Sequence, residues 1–114
     1  MIKTKLVSLS TFENTTFDLI DYFSQWNDEN KVIERVENLI EQFESTVLVH
    51  PEMYPICQDI REFFGIVDYR IFKSDGLKIV YRYDASHDVI YVMLMLSDKQ
   101  DMQKILIDYC IVHK

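Results

Sequence analysis

The stretch DYRIFKSDGLKIVYRYD at residues 68–84 limits the choice of folds more than any other part of the chain. Apolar residues alternate with polar or charged ones on either side of a Ser-Asp-Gly turn, which is the pattern of a β-hairpin. We interpret residues 74–76 as a three-residue loop with Gly76 in the left-handed conformation, so that Lys73 pairs with Leu77. A two-residue loop shifts the pairing by one and mixes apolar with charged side chains on each face, which argues against it.

This register predicts one apolar face and one amphipathic face for the hairpin. The apolar face carries Tyr69, Ile71, Leu77, Ile79, Tyr81 and Tyr83. A four-residue loop to the next strand pairs Asp84 with Val89 and adds residues to the second face. That face forms a predicted partner-binding surface of seven residues: Arg70, Phe72, Lys78, Arg82, Tyr91, Met93 and Met95. The alternative is that acidic side chains or the last helix neutralise and cover its three cations.

Helical spacing and turn residues predict the remaining elements. A capping box formed by Ser10 and Glu13 begins a helix that extends to about Trp26. Asp28 caps a second helix, whose apolar residues recur at intervals of three and four up to Val47. Ser97 and Gln100 form a second capping-box match, and the apolar spacing that follows predicts a C-terminal helix that extends to about Ile111. The predicted strands are Lys3–Ser8, Gln58–Phe63, Val67–Lys73, Leu77–Asp84 and Val89–Leu96.

These elements predict a single α+β domain over residues 1–114. An N-terminal strand is followed by a helical hairpin that packs on a mainly antiparallel sheet of four to five strands, and a C-terminal helix ends the domain. No apolar run reaches the ~18 residues that a membrane span needs. The N-terminus lacks the apolar core of a signal peptide. We therefore expect a cytoplasmic protein with no membrane partner.

Charge and metal-binding residues narrow the function further. The formal net charge is −7, and residues 1–60 contribute all of it, which speaks against tight binding to a nucleic-acid backbone. His50, His87 and His113 are scattered, so no metal site is predicted. Glycine-rich phosphate loops are absent, and no cofactor is expected. We interpret Cys57 and Cys110 as two buried thiols, with a disulfide as the alternative.

The motif DYRIFKSDGLKIVYRYDASHDVIYVMLML, preceded by a helical hairpin and followed by SDKQD, resembles the RelE/ParE superfamily of type II toxin–antitoxin toxins. The family pattern corresponds to Tyr69-Arg70-Ile71, then Lys78-Ile79-Val80-Tyr81-Arg82, then Val89–Leu96 with Lys99 after it. The resemblance follows the element order of the whole chain and is specific over residues 68–101. It implies a small α/β toxin that a cognate antitoxin neutralises.

The resemblance implies two alternative targets. RelE-type members cleave messenger RNA on the ribosome without a metal, using basic groups that bind phosphate and a base that activates the ribose 2′-hydroxyl. ParE-type members bind and poison DNA gyrase. Arg70, Lys78 and Lys99 fall where RelE-like nucleases use basic residues, so they are the candidate catalytic residues. Phe72 stands where those nucleases often have a second lysine, and Tyr109 lies beyond the usual C-terminal acid–base position.

The depleted set of cations and the acidic net charge favour a gyrase-type or otherwise altered activity. The alternative is a ribosome-dependent, metal-independent endoribonuclease. A third hypothesis, from a different class, is a degenerate interaction module of the same fold without toxicity. The expected partners are a cognate antitoxin and either DNA gyrase or the ribosome with its messenger RNA, and a homodimer is left open.

Overall fold

A computed structural model of the chain describes residues 4–102, 104 and 105. Its elements are β1 (Lys5–Ser8), α1 (Ser10–Ser24), α2 (Glu29–Val47), α3 (Gln58–Phe64), β2 (Tyr69–Ser74), β3 (Leu77–Asp84) and β4 (Val89–Ser97). Of the predicted C-terminal helix, residues 102, 104 and 105 are described and are helical. Tyr109, Cys110 and His113 lie outside the described residues.

The strands form one mixed sheet in the order β1-β4-β3-β2. β1 runs parallel to β4, whereas the β2–β3 and β3–β4 pairs are antiparallel. The parallel pairing requires a long crossover, which α1 and α2 begin. This arrangement confirms the predicted α+β class, with an N-terminal strand, a helical hairpin and a mainly antiparallel sheet. Among the described residues, no helix combines the length and the apolar character needed to span a bilayer.

The two predicted helix starts have different outcomes. The Oδ1 atom of Asp28 accepts a hydrogen bond from the backbone N–H of Asn30 at 3.1 Å, so the predicted cap of α2 is confirmed. The predicted capping box of α1 is wrong, because Leu9 is the N-cap and Ser10 is already helical. The Leu9 N–H bonds the carbonyl of Val92 at 3.1 Å, which extends the pairing with β4 up to the first turn of the helix.

Residues 58–64 form the helix α3, and the prediction of a strand there is wrong. Cys57 and Ile60 are both about 1% exposed and are three residues apart, which is the spacing of one helical face. Gly65 ends the helix in the left-handed conformation with φ of 70°. A seven-residue segment is too short for the sequence to separate a helical period from a strand period.

The β2–β3 turn has two residues, and the predicted three-residue loop is wrong. Asp75 and Gly76 have φ values of 54° and 74°, and Ser74 pairs with Leu77 across them. Positive φ at both central positions defines the tight turn whose twist matches the flanking strands, and Asp-Gly is a preferred sequence for it. Arg35 of α2 holds the turn, because its Nη2 donates to the Asp75 carbonyl at 2.8 Å and its Nε lies 3.1 Å from Oδ2.

This register places apolar side chains on both faces of the sheet. On one face Phe72, Ile79 and Tyr81 join the buried residues of α1 and α2. On the other face Ile71 and Val80 join a second cluster with α3 and Met102. A two-residue loop is unfavourable only where one face of the hairpin is exposed to solvent. The helices α1 and α2 cover one face, and α3 and Met102 cover part of the other. Apolar side chains on either face are therefore buried, although each face also carries charged residues.

The β3–β4 hairpin confirms the predicted pairing of Asp84 with Val89. A β-bulge interrupts the ladder, since Val80 pairs with Leu94 but Tyr81 pairs with Val92, which leaves Met93 without a partner across the strand pair. The extra residue reverses the alternation beyond it. Met95 is therefore fully buried on the α1–α2 face, and its predicted place on the partner-binding face is wrong.

Two threonines of α1 form hydrogen bonds with backbone groups of β4 beyond the point where β1 ends. The Thr11 hydroxyl donates to the carbonyl of Met93 at 2.8 Å. The Thr15 hydroxyl, which is 3% exposed as a residue, accepts the backbone N–H of Met95 at 3.0 Å. Threonine has a low helix propensity, but at these positions its hydroxyl replaces a missing strand. These bonds fix α1 against the sheet.

Replacing Thr15 with valine should lower the free energy of unfolding by about 1–3 kcal/mol, because the buried N–H of Met95 loses its acceptor. Urea denaturation of both proteins measures the difference. The matched control is Thr16→Val, since the Thr16 hydroxyl donates within the helix to Phe12 and should contribute less than about 0.5 kcal/mol. Equal losses in the two variants would contradict the role assigned to Thr15.

Candidate functional site: the basic residues of the sheet

Arg70 lies on the α1–α2 face of β2, opposite Tyr81. Its Nη1 donates to the carbonyl of Tyr54 at 2.6 Å. The same region covers the outer edge of β2, because the Cys57 N–H bonds the carbonyl of Tyr69 and the Ile71 N–H bonds that of Pro55. Arg70 therefore helps to attach the segment before α3 to the edge of the sheet.

Lys78 lies on the opposite, α3 face of the sheet. Its side chain is 14% exposed, and Nζ is 3.5 Å from Oδ1 of Asp98. Its partner across the strand pair is Lys73, so two ammonium groups project from neighbouring positions of the same face. Both lysines line a cavity of about 200 Å³ together with Pro55, Ile56, Cys57, Gln58, Asp59 and Ile71.

The predicted three-residue turn does not place Lys73 on the same face as Lys78. The signal that places both lysines on one face is the Asp-Gly dipeptide, because a two-residue turn makes Lys73 and Lys78 direct partners. The cavity beside them also contains the buried thiol of Cys57. Burial raises the pKa of this thiol above its usual range, which keeps it protonated and poorly nucleophilic. Among the described residues Cys57 is a free, buried thiol, as predicted.

Arg82 stacks on Tyr91, with its guanidinium carbon 4.8 Å from the ring centroid. Because Arg82 pairs with Tyr69 and with Tyr91, all three lie on the α3 face of the sheet. We call Lys73, Lys78, Arg82 and Tyr91 the basic strip. Met93 belongs to the apolar cluster on the same side.

Arg82 and Arg70 lie on opposite faces of the sheet but line the same cleft at one end of the β2–β3 pair. Both line a cleft of about 330 Å³. The other lining residues are Glu52, Val67, Asp68, Tyr83, Asp84 and Ala85. Three carboxylates and two guanidinium groups therefore share this cleft, so its charge is mixed rather than cationic.

The hydrogen bonds of the β3–β4 turn set two pKa values beside the cleft. The bond between Asp84 Oδ2 and His87 Nδ1, at 2.9 Å, lowers the pKa of the Asp84 carboxyl. The Tyr83 hydroxyl donates to Asp88 Oδ1 at 2.6 Å, and this bond raises the pKa of Tyr83 to about 12. Thr4 donates to the same oxygen at 2.9 Å, so Asp88 joins the chain before β1 to the β3–β4 turn.

We expect the stabilisation by Tyr83 to be lost at alkaline pH. The pKa of its phenol rises from an ordinary value of 10.0 to about 12 on folding, so its contribution is complete below pH 10 and disappears as the pH rises to about 12. The free energy of unfolding of the wild type should therefore approach that of Tyr83→Phe across this interval. Urea denaturation at several pH values measures it, and a constant difference between the two proteins would contradict the prediction.

The three candidate catalytic residues lie at three different places. Arg70 is on the α1–α2 face and Lys78 is on the α3 face. Lys99 is exposed after the end of β4, where it lines a separate cavity of about 410 Å³ with Tyr22, Gln100, Asp101, Lys104 and Ile105. The prediction that Arg70 shares a face with Lys78 and Arg82 is wrong. Their catalytic and partner-binding roles remain predictions.

Phe72 also lies away from the predicted partner-binding face. It is 7% exposed, and its ring makes edge-to-face contacts with Phe43 and Tyr54. It therefore belongs to the core beneath α2 and does not occupy a position among the cations. Within the described part of the chain, no group of three His, Cys, Asp or Glu side chains is placed to hold a metal ion.

Two solved structures share this fold. A chain of the toxin–antitoxin complex RelBE2 from Mycobacterium tuberculosis gives a TM-score of 0.53 at 10% identity, covering 84% of this chain and 99% of that one. A chain of the chromosomal ParDE TA system from P. aeruginosa gives 0.64 at 11% identity, covering 83% and 96%. No family model and no curated protein matches the sequence. The chain has the fold of RelE/ParE toxins, which confirms the resemblance at the level of fold.

Proposed function

We propose that this chain is the growth-inhibiting toxin of a type II toxin–antitoxin pair and that a cognate antitoxin holds it inactive. The observation that supports the proposal is the fold, which the chain shares over more than four-fifths of its length with proteins of two toxin–antitoxin systems. The motif at residues 68–101, which suggested the same class, forms the β2–β3–β4 unit of that fold and the residues that follow it. In this proposal the antitoxin covers the basic strip.

The toxin acts by binding a macromolecular target, with DNA gyrase as the favoured choice. This mode is supported by the dispersal of the candidate catalytic residues. Arg70 donates to a backbone carbonyl, Lys78 is paired with Asp98, and Lys99 lies after the end of β4 in a separate cavity. Catalysis of RNA cleavage requires several donors aimed at one phosphate. A surface with one cation–aromatic pair and flanking lysines suits protein recognition better.

The second candidate is a metal-independent endoribonuclease that acts on messenger RNA at the ribosome. One observation favours it: Lys73 and Lys78 are direct partners on one face and line the same cavity. Two ammonium groups so placed can contact one phosphate of a bound RNA strand and stabilise charge on it.

Induction of the chain alone in a bacterial host should arrest growth, and co-expression of the protein encoded beside it should restore growth. The colony count after induction measures toxicity, and an immunoblot of the soluble fraction confirms that folded protein is present. Normal growth with abundant soluble protein would contradict both toxin modes and favour an interaction module without toxicity.

A second experiment separates the two modes. Purified protein incubated with gyrase, ATP and plasmid DNA should trap cleaved DNA, while ribosomes and messenger RNA in a parallel reaction stay intact. RNA cleavage that disappears in Lys73→Ala and Lys78→Ala would instead establish the endoribonuclease. The control is Lys5→Ala, an exposed lysine on β1 that should leave either activity unchanged.

A further inference from the structure

Two lysines oppose each other directly across the β2–β3 pair, since Lys73 is the partner of Lys78. Such partners hold their Cβ atoms about 4.5–5.5 Å apart, and like charges placed directly opposite each other destabilise a sheet. The Lys78 side chain is 14% exposed, so its ammonium group is largely withdrawn from the water that screens repulsion at a surface. A negative charge beside the two ammonium groups would therefore stabilise the pair.

The protein itself supplies only part of this negative charge. Nζ of Lys78 lies 3.5 Å from Oδ1 of Asp98, which is longer than a charge-assisted hydrogen bond, and the Asp98 side chain is 59% exposed, so this ion pair is weak. In the part of the chain that the structure describes, no carboxylate lies within ion-pair distance of the Lys73 ammonium group. Lys73 is exposed, and its ammonium group can therefore bind an external anion.

The cavity of about 200 Å³ beside the two lysines has largely apolar walls. Pro55, Ile56 and Ile71 contribute hydrocarbon surface, and Cys57 contributes a buried thiol. Ligand sites in proteins combine such apolar walls with a few polar groups that fix the orientation of the ligand. The volume is smaller than the range of about 300 Å³ and above that is typical of sites for drug-sized molecules. The cavity therefore suits a small ligand with an apolar body and an anionic end.

The charge of the cavity decides which anion fits. Lys73, Lys78 and Asp59 are its charged lining residues, two cations and one anion, so the net charge of the lining is +1. A carboxylate carries one negative charge and neutralises this lining. A phosphate monoester carries up to two, which leaves an excess of negative charge beside Asp59. The apolar walls also offer no donors to the additional oxygens of a phosphate, so the cavity favours a carboxylate.

We propose that this cavity is a binding site for a short aliphatic carboxylate, whose charged end lies between the ammonium groups of Lys73 and Lys78. Its hydrocarbon chain packs on the apolar walls of the cavity. A free small molecule and the glutamate side chain of another protein share this chemistry. The inference goes beyond the proposed function, since binding requires neither toxicity nor an antitoxin, and the ligand is a carboxylate rather than the phosphate of RNA.

The test is an NMR titration of the isotope-labelled full chain with butyrate at constant ionic strength. Butyrate should shift the backbone amide signals of Cys57, Ile71, Lys73 and Lys78 in a saturable way. It should bind about tenfold more tightly than acetate, because it buries two more methylene groups. Butylammonium and n-butanol, which lack the negative charge, should cause no saturable shift, and inorganic phosphate should bind more weakly than butyrate.

A second ligand distinguishes the two sources of the carboxylate. Glutamate that is acetylated at its amino group and amidated at its α-carboxyl group presents the carboxylate as a protein does. If it binds as tightly as butyrate, the site accepts a side chain of another protein. If butyrate alone binds, the site is specific for a free small molecule.

Matched variants locate the binding. Lys73→Gln should weaken the affinity for butyrate by about threefold or more, whereas Asp59→Asn should strengthen it by about twofold. Opposite effects of this kind do not arise from a general loss of folding. Lys31→Gln removes an exposed lysine of α2 and should keep the wild-type affinity. No saturable shift with butyrate, equal binding of n-butanol, tighter binding of phosphate, or equal affinities of Lys73→Gln and Lys31→Gln would each overturn the proposal.

Discussion

Replacement of Phe72 with lysine should reduce the free energy of unfolding by about 4 kcal/mol or more. The ring of Phe72 is 7% exposed and contacts Phe43 of α2 and Tyr54, so the substitution removes these contacts and brings an ammonium group into an apolar core. A loss of this size is a large part of the stability of a domain of this length. Urea denaturation followed by circular dichroism measures it.

The outcome separates the two registers of the hairpin. With a two-residue turn Phe72 points towards α2, whereas with a three-residue turn it lies beside Lys78 on an open face, where lysine is tolerated. The control is Phe17→Lys, which puts the same charge on a residue that is 64% exposed and should change stability by less than about 0.5 kcal/mol. A Phe72→Lys protein as stable as this control would contradict the observed fold.

Replacement of Phe43 with alanine should cost about 3–5 kcal/mol and loosen the helical hairpin from the sheet. Phe43 is 2% exposed, and its ring makes edge-to-face contacts with Phe72 of β2 and Tyr81 of β3, at 5.8 Å and 5.4 Å between centroids. It is therefore the side chain through which α2 holds both strands. Thermal denaturation and amide hydrogen exchange measure the change.

Amide hydrogen exchange should show in which elements the Phe43→Ala protein loses stability. In Phe43→Ala the amides of α2 should exchange faster than those of β3 and β4, because the central strands retain their own ladder and the second core on the α3 face. The double variant Phe43→Ala/Phe72→Ala should be more stable than the sum of the single losses predicts, since the two rings contact each other. Strict additivity would contradict this direct coupling.

The sequence predicts most accurately the helices and strands whose apolar spacing fits only one type of secondary structure. Buried Val32, Val36, Leu39, Phe43 and Val47 follow the predicted stripe of α2. β3 was predicted with its observed bounds, and β4 with one residue fewer, because their apolar residues and the following turn are unambiguous. α3 could not be predicted, since seven residues give less than two periods of a helix.

The candidate site was harder to predict, because it depends on the length of one turn. A change of one residue moves every side chain of a strand to the other face. Alternation alone favours the three-residue turn if one face of the sheet is buried, whereas the Asp-Gly pair favours the two-residue turn that the structure shows. The hydrogen bonds of Arg70 with the Tyr54 carbonyl and of the Met95 N–H with Thr15 join residues that are far apart in sequence. No local sequence pattern predicts them.

The two-residue turn divides the basic residues between the two faces of the sheet. In an antiparallel pair, the Cα hydrogens of partners that do not exchange backbone hydrogen bonds lie close together. NMR spectra of the labelled protein should show strong cross-relaxation between the Cα hydrogens of Lys73 and Lys78, and between those of Ile71 and Val80. Strong cross-relaxation between the Cα hydrogens of Phe72 and Lys78 would contradict this division of the basic residues, because it would show the three-residue turn.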